Sequence, residues 1–138
     1  MRILRVSGFS LIELVVAMAI IAIVTAVALP AFQDSVRKSR RADAKAALLQ
    51  VAANQEKWRA NNPSYTTDLT KLGFAAAANA VSTDGYYTIN VSAASGTGFS
   101  ANAAPKTGTA QAGDSCTLVI THNGPDISDA AKRACWGK

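Results

Sequence analysis

The stretch that decides the fold is Gly8-Phe9-Ser10-Leu11-Ile12-Glu13, followed directly by LVVAMAIIAIVTAVALPAF at residues 14–32. This second stretch is uncharged over nineteen residues. Nineteen helical residues rise about 28 Å, close to the hydrocarbon thickness of a bilayer. Glu13 places one carboxylate at the edge of the apolar span, where an unpaired charge is costly. We therefore expect a helix that occupies a membrane or an apolar assembly, and a positively charged partner for Glu13.

The residues before the apolar span differ from an ordinary secretory signal. Residues 1–8 contain Arg2 and Arg5 and no acidic residue. An ordinary signal has its small-residue cleavage site after the apolar run. Residues 26–28 (Ala-Val-Ala) fit that pattern superficially, so ordinary cleavage there is an alternative. The glycine of the leader, however, lies before the run.

Together, the basic leader, the Gly8-Phe9 junction, the spacing to Glu13 and the length of the apolar run resemble the type IV prepilin signature. The resemblance implies cleavage after Gly8 by a prepilin peptidase and N-methylation of Phe9. It also implies that the apolar helix stays in the mature protein, and that Glu13 pairs with the methylated amine of a neighbouring subunit. Pro30 falls where family members commonly carry a helix-interrupting proline. A generic single-pass membrane anchor is the alternative.

A pair between Glu13 and the amine of a neighbouring subunit would set the axial register of the subunits. An amine and a carboxylate are both costly in an apolar core, and removal of one leaves the other stranded. The resemblance further implies other pilin subunits, an assembly platform and its ATPases as partners. The precursor would lie in the bacterial inner membrane with its head in the periplasm, in contact with membrane lipid, and would later join an extracellular pilus.

Length and composition favour one small domain behind the apolar segment. The chain has 138 residues and a net charge of +5, which falls to +3 when Arg2 and Arg5 are removed. We expect a leader at 1–8, a transmembrane or filament-core helix at 9–32, an amphipathic half of that helix at 33–62 and a globular head at 63–138. The predicted class is α+β, with a long N-terminal helix, membrane-spanning in its first half, packed on a small antiparallel sheet that ends in a disulfide loop.

The second half of the helix is predicted from apolar residues that recur at spacings near three and four. They are Val36, Ala44, Ala47, Leu48, Val51, Gln55 and Trp58. Pro30 should kink the helix or melt a turn, because it lacks an N–H donor and clashes with the preceding turn. Two separate helices broken at Pro30 are an alternative.

The head is predicted as an antiparallel meander. Residues 63–84 form an irregular connection, and three segments with strand character follow at 86–92, 98–103 and 116–121. Tyr87, Ile89 and Val91 alternate along the first strand and should share one face.

Two cysteines lie late in the chain, Cys116 and Cys135. A disulfide between them would close a loop of about 20 residues and stabilise the head by about 3 kcal/mol. Two reduced buried thiols are the alternative. In the pilin family, the loop enclosed by the terminal disulfide is a variable surface region.

Four cations follow the apolar span: Arg37, Lys38, Arg40 and Arg41. They outnumber those before it, so the positive-inside rule favours a cytoplasmic C-terminus. The resemblance implies the opposite orientation, which the cysteines also favour. The cluster is expected to contact acidic residues of adjacent subunits or anionic lipid headgroups, or to be a solvated helix face.

The sequence offers little support for catalysis. His122 is the single histidine and lies beside a turn, without an acid at a spacing that indicates a triad. Gly96-x-Gly98 lacks the third glycine of a phosphate-binding loop. We expect no catalytic residue, no metal site and no cofactor.

The sequence therefore favours a structural subunit, major or minor, of a type IV pilus used for adhesion, twitching motility or DNA uptake. One alternative is a minor pilin that binds DNA through the cations Lys106, Lys132, Arg133 and Lys138, with Trp136 as the single evident stacking residue. Another is a type II secretion pseudopilin, although the major pseudopilins tend to carry a calcium site in place of a disulfide.

Overall fold

The computed structural model describes residues 10–138. The predictions for cleavage after Gly8 and methylation of Phe9 lie outside the described residues. The chain divides into two compact units, one ending at Val36 and the other comprising Arg37–Lys138.

A single helix, α1, runs from Leu11 to Arg59, a length of 49 residues. It continues through Pro30, so the predicted alternative of two separate helices is wrong, and so is the melted turn. Proline removes only one N–H donor, and the hydrogen bonds of the surrounding turns keep the backbone helical.

The predicted amphipathic face of α1 is confirmed. Ala44, Ala47, Leu48 and Val51 are buried in the core of the second unit. Gln55 is also buried, because its side-chain amide pairs with the backbone of Thr66, donating to the carbonyl at 2.6 Å and accepting from the N–H at 3.1 Å. A polar side chain can therefore lie on this face at little cost, since both of its groups have partners.

Five antiparallel strands form one sheet in the order β1-β2-β3-β4-β5. They are β1 (Ala80–Val81), β2 (Tyr87–Ala94), β3 (Phe99–Pro105), β4 (Leu118–Thr121) and β5 (Gly124–Pro125). The predicted meander is confirmed. The two short edge strands were missed, because strands of two residues show no alternation.

The strand faces follow the predicted alternation. Tyr87, Ile89, Ala101, Leu118 and Ile120 are almost completely buried and pack with α1 in one core. A register shift between Val91 and Ala93 interrupts the pairing of β2 with β3. The fold is therefore α+β, with the second half of a long helix packed on an antiparallel sheet.

Two short helices were missed. A 3-10 helix at Leu69–Leu72 lies in the connection and begins at Asp68, whose carboxylate accepts from Thr70 N–H. It ends at Gly73, whose φ of 84° is the left-handed conformation that favours glycine. A helix α2 at Ala130–Trp136 ends the head and is capped by Asp129 and Gly137 in the same way.

Candidate functional site

The first half of α1 is an exposed apolar surface. Large apolar side chains from Leu11 to Phe32 are about half exposed or more in the single chain. Within residues 10–138, α1 is the one helix long and apolar enough to cross a membrane, judged by length and composition. Such a surface needs lipid or protein neighbours, because large exposed apolar patches are uncommon on soluble monomers.

Glu13 lies in the first turn of α1 and is exposed. No charged residue follows it in the sequence until Asp34. A second copy or another chain could therefore reach it. The pairing of Glu13 with the amine of a neighbouring Phe9 stays a prediction.

The head is tied to α1 by an ion pair that the sequence did not reveal. Arg41 donates to the two carboxylate oxygens of Asp114, from Nε at 2.8 Å and from Nη2 at 2.7 Å. The Asp114 side chain is 2% exposed and that of Arg41 is 15% exposed. Tyr87 Oη donates to Asp114 at 3.1 Å, and Gln111 Nε2 donates to the same carboxylate at 2.7 Å.

The contacts around Asp114 shift two pKa values. Burial alone would raise the pKa of Asp114, but hydrogen bonds from Arg41 and from the N–H of Cys116, together with the Arg41 charge, hold that pKa below its usual value. Burial raises the pKa of Tyr87 to about 12. The network holds the loop between β3 and β4 against α1.

The predicted disulfide is present. The sulfur atoms of Cys116 and Cys135 are bonded, and their Cα atoms lie 5.5 Å apart. The bridge joins the segment before β4 to α2, and Lys45 Nζ adds a hydrogen bond of 2.8 Å to the Trp136 carbonyl. The end of the chain is thus fixed to both the sheet region and α1.

The structure places the four cations predicted to contact DNA in two regions. Lys106 follows β3, and its N–H donates to the Tyr86 carbonyl at 2.9 Å. Lys132 and Arg133 lie on α2, with Lys138 just after it. Lys132 is engaged within its own loop, because Nζ lies 2.7 Å from Asp126 Oδ2. This bond from Lys132 is the main cause that lowers the pKa of Asp126 to about 2.

Trp136 cannot serve as a stacking surface for bases. Its side chain belongs to the core and the residue is 7% exposed. Trp136, the single evident stacking residue in the sequence, is therefore not accessible to bases.

The sequence analysis missed a basic, aromatic groove beside the end of α1. The groove has a volume of about 500 Å³. We call it the Trp58 groove. It is lined by Asn54, Lys57, Trp58, Asn61, Asn62, Lys71, Leu72 and Gly73. Lys71 Nζ lies 5.2 Å from the centre of the half-buried Trp58 ring, a favourable cation–π distance.

Arg59 and Tyr65, which are close in sequence to the residues of the Trp58 groove, form a second contact between a cation and an aromatic ring. Arg59 Cζ is 6.0 Å from the centre of the Tyr65 ring. The guanidinium also donates to Gly96 O at 3.1 Å and to Asn62 O at 2.9 Å. Carbonyl acceptors carry no formal charge, so Arg59 keeps its positive charge at the surface. The sequence signal for this region is the mixture of cations and aromatics over residues 57–71.

His122 lies on the surface against Gly98. A Cβ at Gly98 would clash with His122 Nδ1, so the close approach requires glycine. Within residues 10–138, no group of three or more His, Cys, Asp or Glu side chains could hold a metal ion. The absence of a cofactor stays a prediction.

Comparison with known proteins gives two matches to family models. Residues 30–119 match the family described as "Type IV minor pilin ComP, DNA uptake sequence receptor". Residues 3–29 match the "Prokaryotic N-terminal methylation motif". The first match covers most of the head, including the Trp58 groove, and the second covers most of the predicted leader and of the apolar span.

Curated relatives are named as pilins or fimbrial proteins. The chain is 41% identical over 64 residues to the "Type IV major pilin protein PilE1" of Neisseria gonorrhoeae, which covers 41% of the chain and 39% of the relative. It is 33% identical over 130 residues to the "Fimbrial protein EcpC" of Eikenella corrodens, covering 88% of the chain and 77% of the relative. The match thus spans about two fifths of the length of PilE1 but most of EcpC. The fold, the methylation motif and these matches together show that the chain belongs to the type IV pilin family.

Proposed function

We propose that this chain is a minor subunit of a type IV pilus that binds DNA for uptake. The single observation that carries the proposal is the match of residues 30–119 to the family described as a DNA uptake sequence receptor. In this proposal, a prepilin peptidase cleaves after Gly8 and methylates Phe9. Glu13 then pairs with the amine of a neighbouring subunit as an assembly platform and its ATPases draw the helix out of the inner membrane.

Charge supports DNA binding by the head. Residues 37–138 contain twelve Lys and Arg residues and seven Asp and Glu residues. Asp114, Asp126 and Asp129 are already in ion pairs within the chain, and Asp43 accepts from Ser82 and from Asp84 N–H. Ion pairs use up cations as well as acids, and neutral donors leave the Asp43 charge in place, so the net excess is twelve minus seven, or five positive charges. This excess attracts phosphate.

We place the DNA contact at the Trp58 groove. Lys57 and Lys71 supply cations there, Trp58 supplies an aromatic face, and no acidic residue belongs to the lining among the described residues. The groove also lies within the residues that match the receptor family, whereas Lys132, Arg133 and Lys138 lie beyond them. The surface predicted from sequence, formed by Lys106, Lys132, Arg133 and Lys138, is the competing contact surface.

Fluorescence anisotropy with a labelled duplex of random sequence tests both the activity and its place. We expect K57Q/K71Q to weaken binding and to reduce the slope of log K against log salt by about 2, because each lysine would neutralise one phosphate. R133Q/K138Q removes the same charge and is the matched control. Loss of binding in the control pair alone would move the site to α2. No binding by the unmodified chain, even at low salt, would reject the receptor role.

A major structural subunit is the second candidate, favoured by the identity to PilE1 major pilins. Mass spectrometry of sheared fibres separates the two roles, because a major subunit would dominate the peptides and a minor one would be scarce. The same spectra would show whether the chain begins at methylated Phe9.

A further inference from the structure

The Trp58 groove contains more than cations for phosphate. Its lining combines one aromatic ring, three asparagine side chains and two lysines, and it has no acidic residue within residues 10–138. Lysines serve any phosphate backbone, whereas an aromatic ring and a free amide serve to bind bases. We propose that the groove holds one unpaired nucleotide of a single DNA strand, an inference that rests on the DNA-binding function proposed for the chain.

Two of the three amides hold the walls of the groove in place. Asn54 Nδ2 donates to the Leu72 carbonyl at 2.8 Å and fixes residues 71–73 against α1. Asn62 Nδ2 donates to the Trp58 carbonyl at 2.8 Å and fixes the turn that follows the helix. The groove is therefore formed in the free chain, so little ordering of the protein opposes binding.

Asn61 is the third amide, and its side chain is available to a ligand. The residue is exposed, and only its backbone N–H is bonded within residues 10–138, to the Trp58 carbonyl at 3.2 Å. A side-chain amide offers donors and an acceptor side by side, and the Watson–Crick edge of each base has an adjacent donor and acceptor that can pair with them. That edge is free only in an unpaired base, which favours a single strand.

The Trp58 ring requires the same unpaired state. Its side chain is half-buried, and the exposed Lys71 places Nζ over the ring at 5.2 Å from its centre. A phosphate would draw this ammonium off the ring and a base would take its place, because base stacking contributes more than an exposed cation–π contact. In a duplex, neighbouring pairs cover the faces of each base, so stacking on Trp58 requires a base outside the stack.

The size and charge of the groove fit one nucleotide. Its volume of about 500 Å³ lies in the range of clefts that hold a single small ligand, about 300–1,000 Å³. Lys57 and Lys71 are both exposed and supply two cations for the phosphates that flank the bound base.

The test compares a short labelled strand without self-complementarity with the duplex that it forms with its complement. Fluorescence anisotropy with the full chain in detergent gives the two dissociation constants. We expect the strand to bind about tenfold more tightly, since one stacked base contributes about that factor or more. Charge alone predicts the opposite preference, because each phosphate contact releases about 0.9 counterion from a duplex and about 0.7 from a single strand.

Tryptophan fluorescence reports the stacking directly. The chain has two tryptophans, and Trp136 is buried in the core, so quenching by a bound base would come from Trp58. We expect quenching by the strand and by thymidine monophosphate, and none by inorganic phosphate. W58F should abolish the quenching, and W58L should also abolish the preference for the strand.

A pair of asparagine variants separates the site from the fold, because both change exposed side chains. N61A should weaken binding of the strand roughly fivefold, as expected for one lost hydrogen bond, and should leave binding of the duplex unchanged. N123A removes an amide from the turn between β4 and β5 and should change neither.

The outcomes distinguish this site from the DNA-binding function itself. A duplex that binds as tightly as the strand and is weakened by K57Q/K71Q would overturn the unpaired-nucleotide site and leave the receptor role standing. Binding of the strand without quenching, or unchanged strand affinity in both N61A and W58L, would overturn the site as well. If neither strand nor duplex binds at low salt, both proposals fail.

Discussion

Arg41 on α1 and Asp114 in the loop before β4 lie 73 residues apart in sequence, and two hydrogen bonds of 2.8 and 2.7 Å join their side chains. Asp114 Oδ1 also accepts from the N–H of Cys116, and Asp114 Oδ2 from the hydroxyl of Tyr87. One carboxylate therefore connects the helix, the first long strand and the disulfide. Removal of its charge would disturb three parts of the head at once.

Replacement of Asp114 should destabilise the head strongly. D114N leaves the Arg41 charge in place without its partner, and the expected loss is about 2–3 kcal/mol. Denaturant unfolding of the full chain in detergent, followed by tryptophan fluorescence, measures it. D84N removes an exposed carboxylate and should change stability by less than about 0.5 kcal/mol. Equal effects of the two variants would contradict a structural role for the pair.

The same carboxylate predicts an acid limit of stability. The pKa of Asp114 is lower in the fold than its ordinary value, so the folded state favours the charged form. This contribution is complete above the unfolded pKa of about 4 and is lost as the pH falls through the folded pKa. The unfolding free energy should be nearly constant above about pH 5 and should decline below about 4. D114N should flatten this decline, and a decline as steep as that of the unmodified chain would assign the acid limit to other groups.

Tyr87 predicts an alkaline limit of opposite sign. Its folded pKa is raised to about 12, above the ordinary value of about 10. The neutral phenol is therefore favoured in the fold, and its contribution is complete below about pH 10 and lost between about pH 10 and 12. Tyrosinate absorbance should show a late-ionising phenol that Y87F removes. A late-ionising phenol that persists in Y87F would contradict this assignment.

The disulfide should contribute about 3 kcal/mol, because the bridge between Cys116 and Cys135 closes a loop of about 20 residues in the unfolded chain. C116A/C135A is expected to lose that amount in denaturant unfolding. Hydrogen exchange should also become faster in α2, which would then be held mainly by Trp136 and the bond from Lys45. Addition of a reductant to the unmodified chain should reproduce the loss. An unchanged unfolding midpoint in the double variant would show that the bridge adds little.

The parts of the fold that can be predicted from the sequence are those with a local period. Spacings of three and four predict the buried face of α1, and alternation predicts β2, since each pattern is set by how one element meets the core. The Arg41–Asp114 pair has no such signal. In the sequence, Arg41 resembles the other three cations of its cluster, and nothing in its neighbours indicates that a distant loop covers it.

Two other features that the sequence analysis missed do have a signal. Asp129 and Gly137 bracket Ala130–Trp136, and they are the cap residues typical of a helix start and end. The segment between them shows no apolar period, because alanines supply little contrast with their neighbours. The Trp58 groove is indicated by cations next to aromatics at residues 57–71. Its assembly, however, requires residues 71–73 to lie against the end of α1, where Asn54 Nδ2 donates to the Leu72 carbonyl at 2.8 Å.

The last prediction concerns Glu13, whose carboxylate is exposed in the first turn of α1, directly before the uncharged residues 14–32. If the amine of a neighbouring subunit pairs with it, E13A strands that amine in an apolar core. A penalty of at least about 1.4 kcal/mol would lower incorporation into filaments about tenfold or more. Quantitative mass spectrometry of sheared fibres measures incorporation, with the membrane pool as reference. E56A removes an exposed glutamate from the same helix and should leave incorporation unchanged. Normal incorporation of E13A would show that the carboxylate has no partner in the filament, and apolar burial of α1 alone would then have to drive assembly.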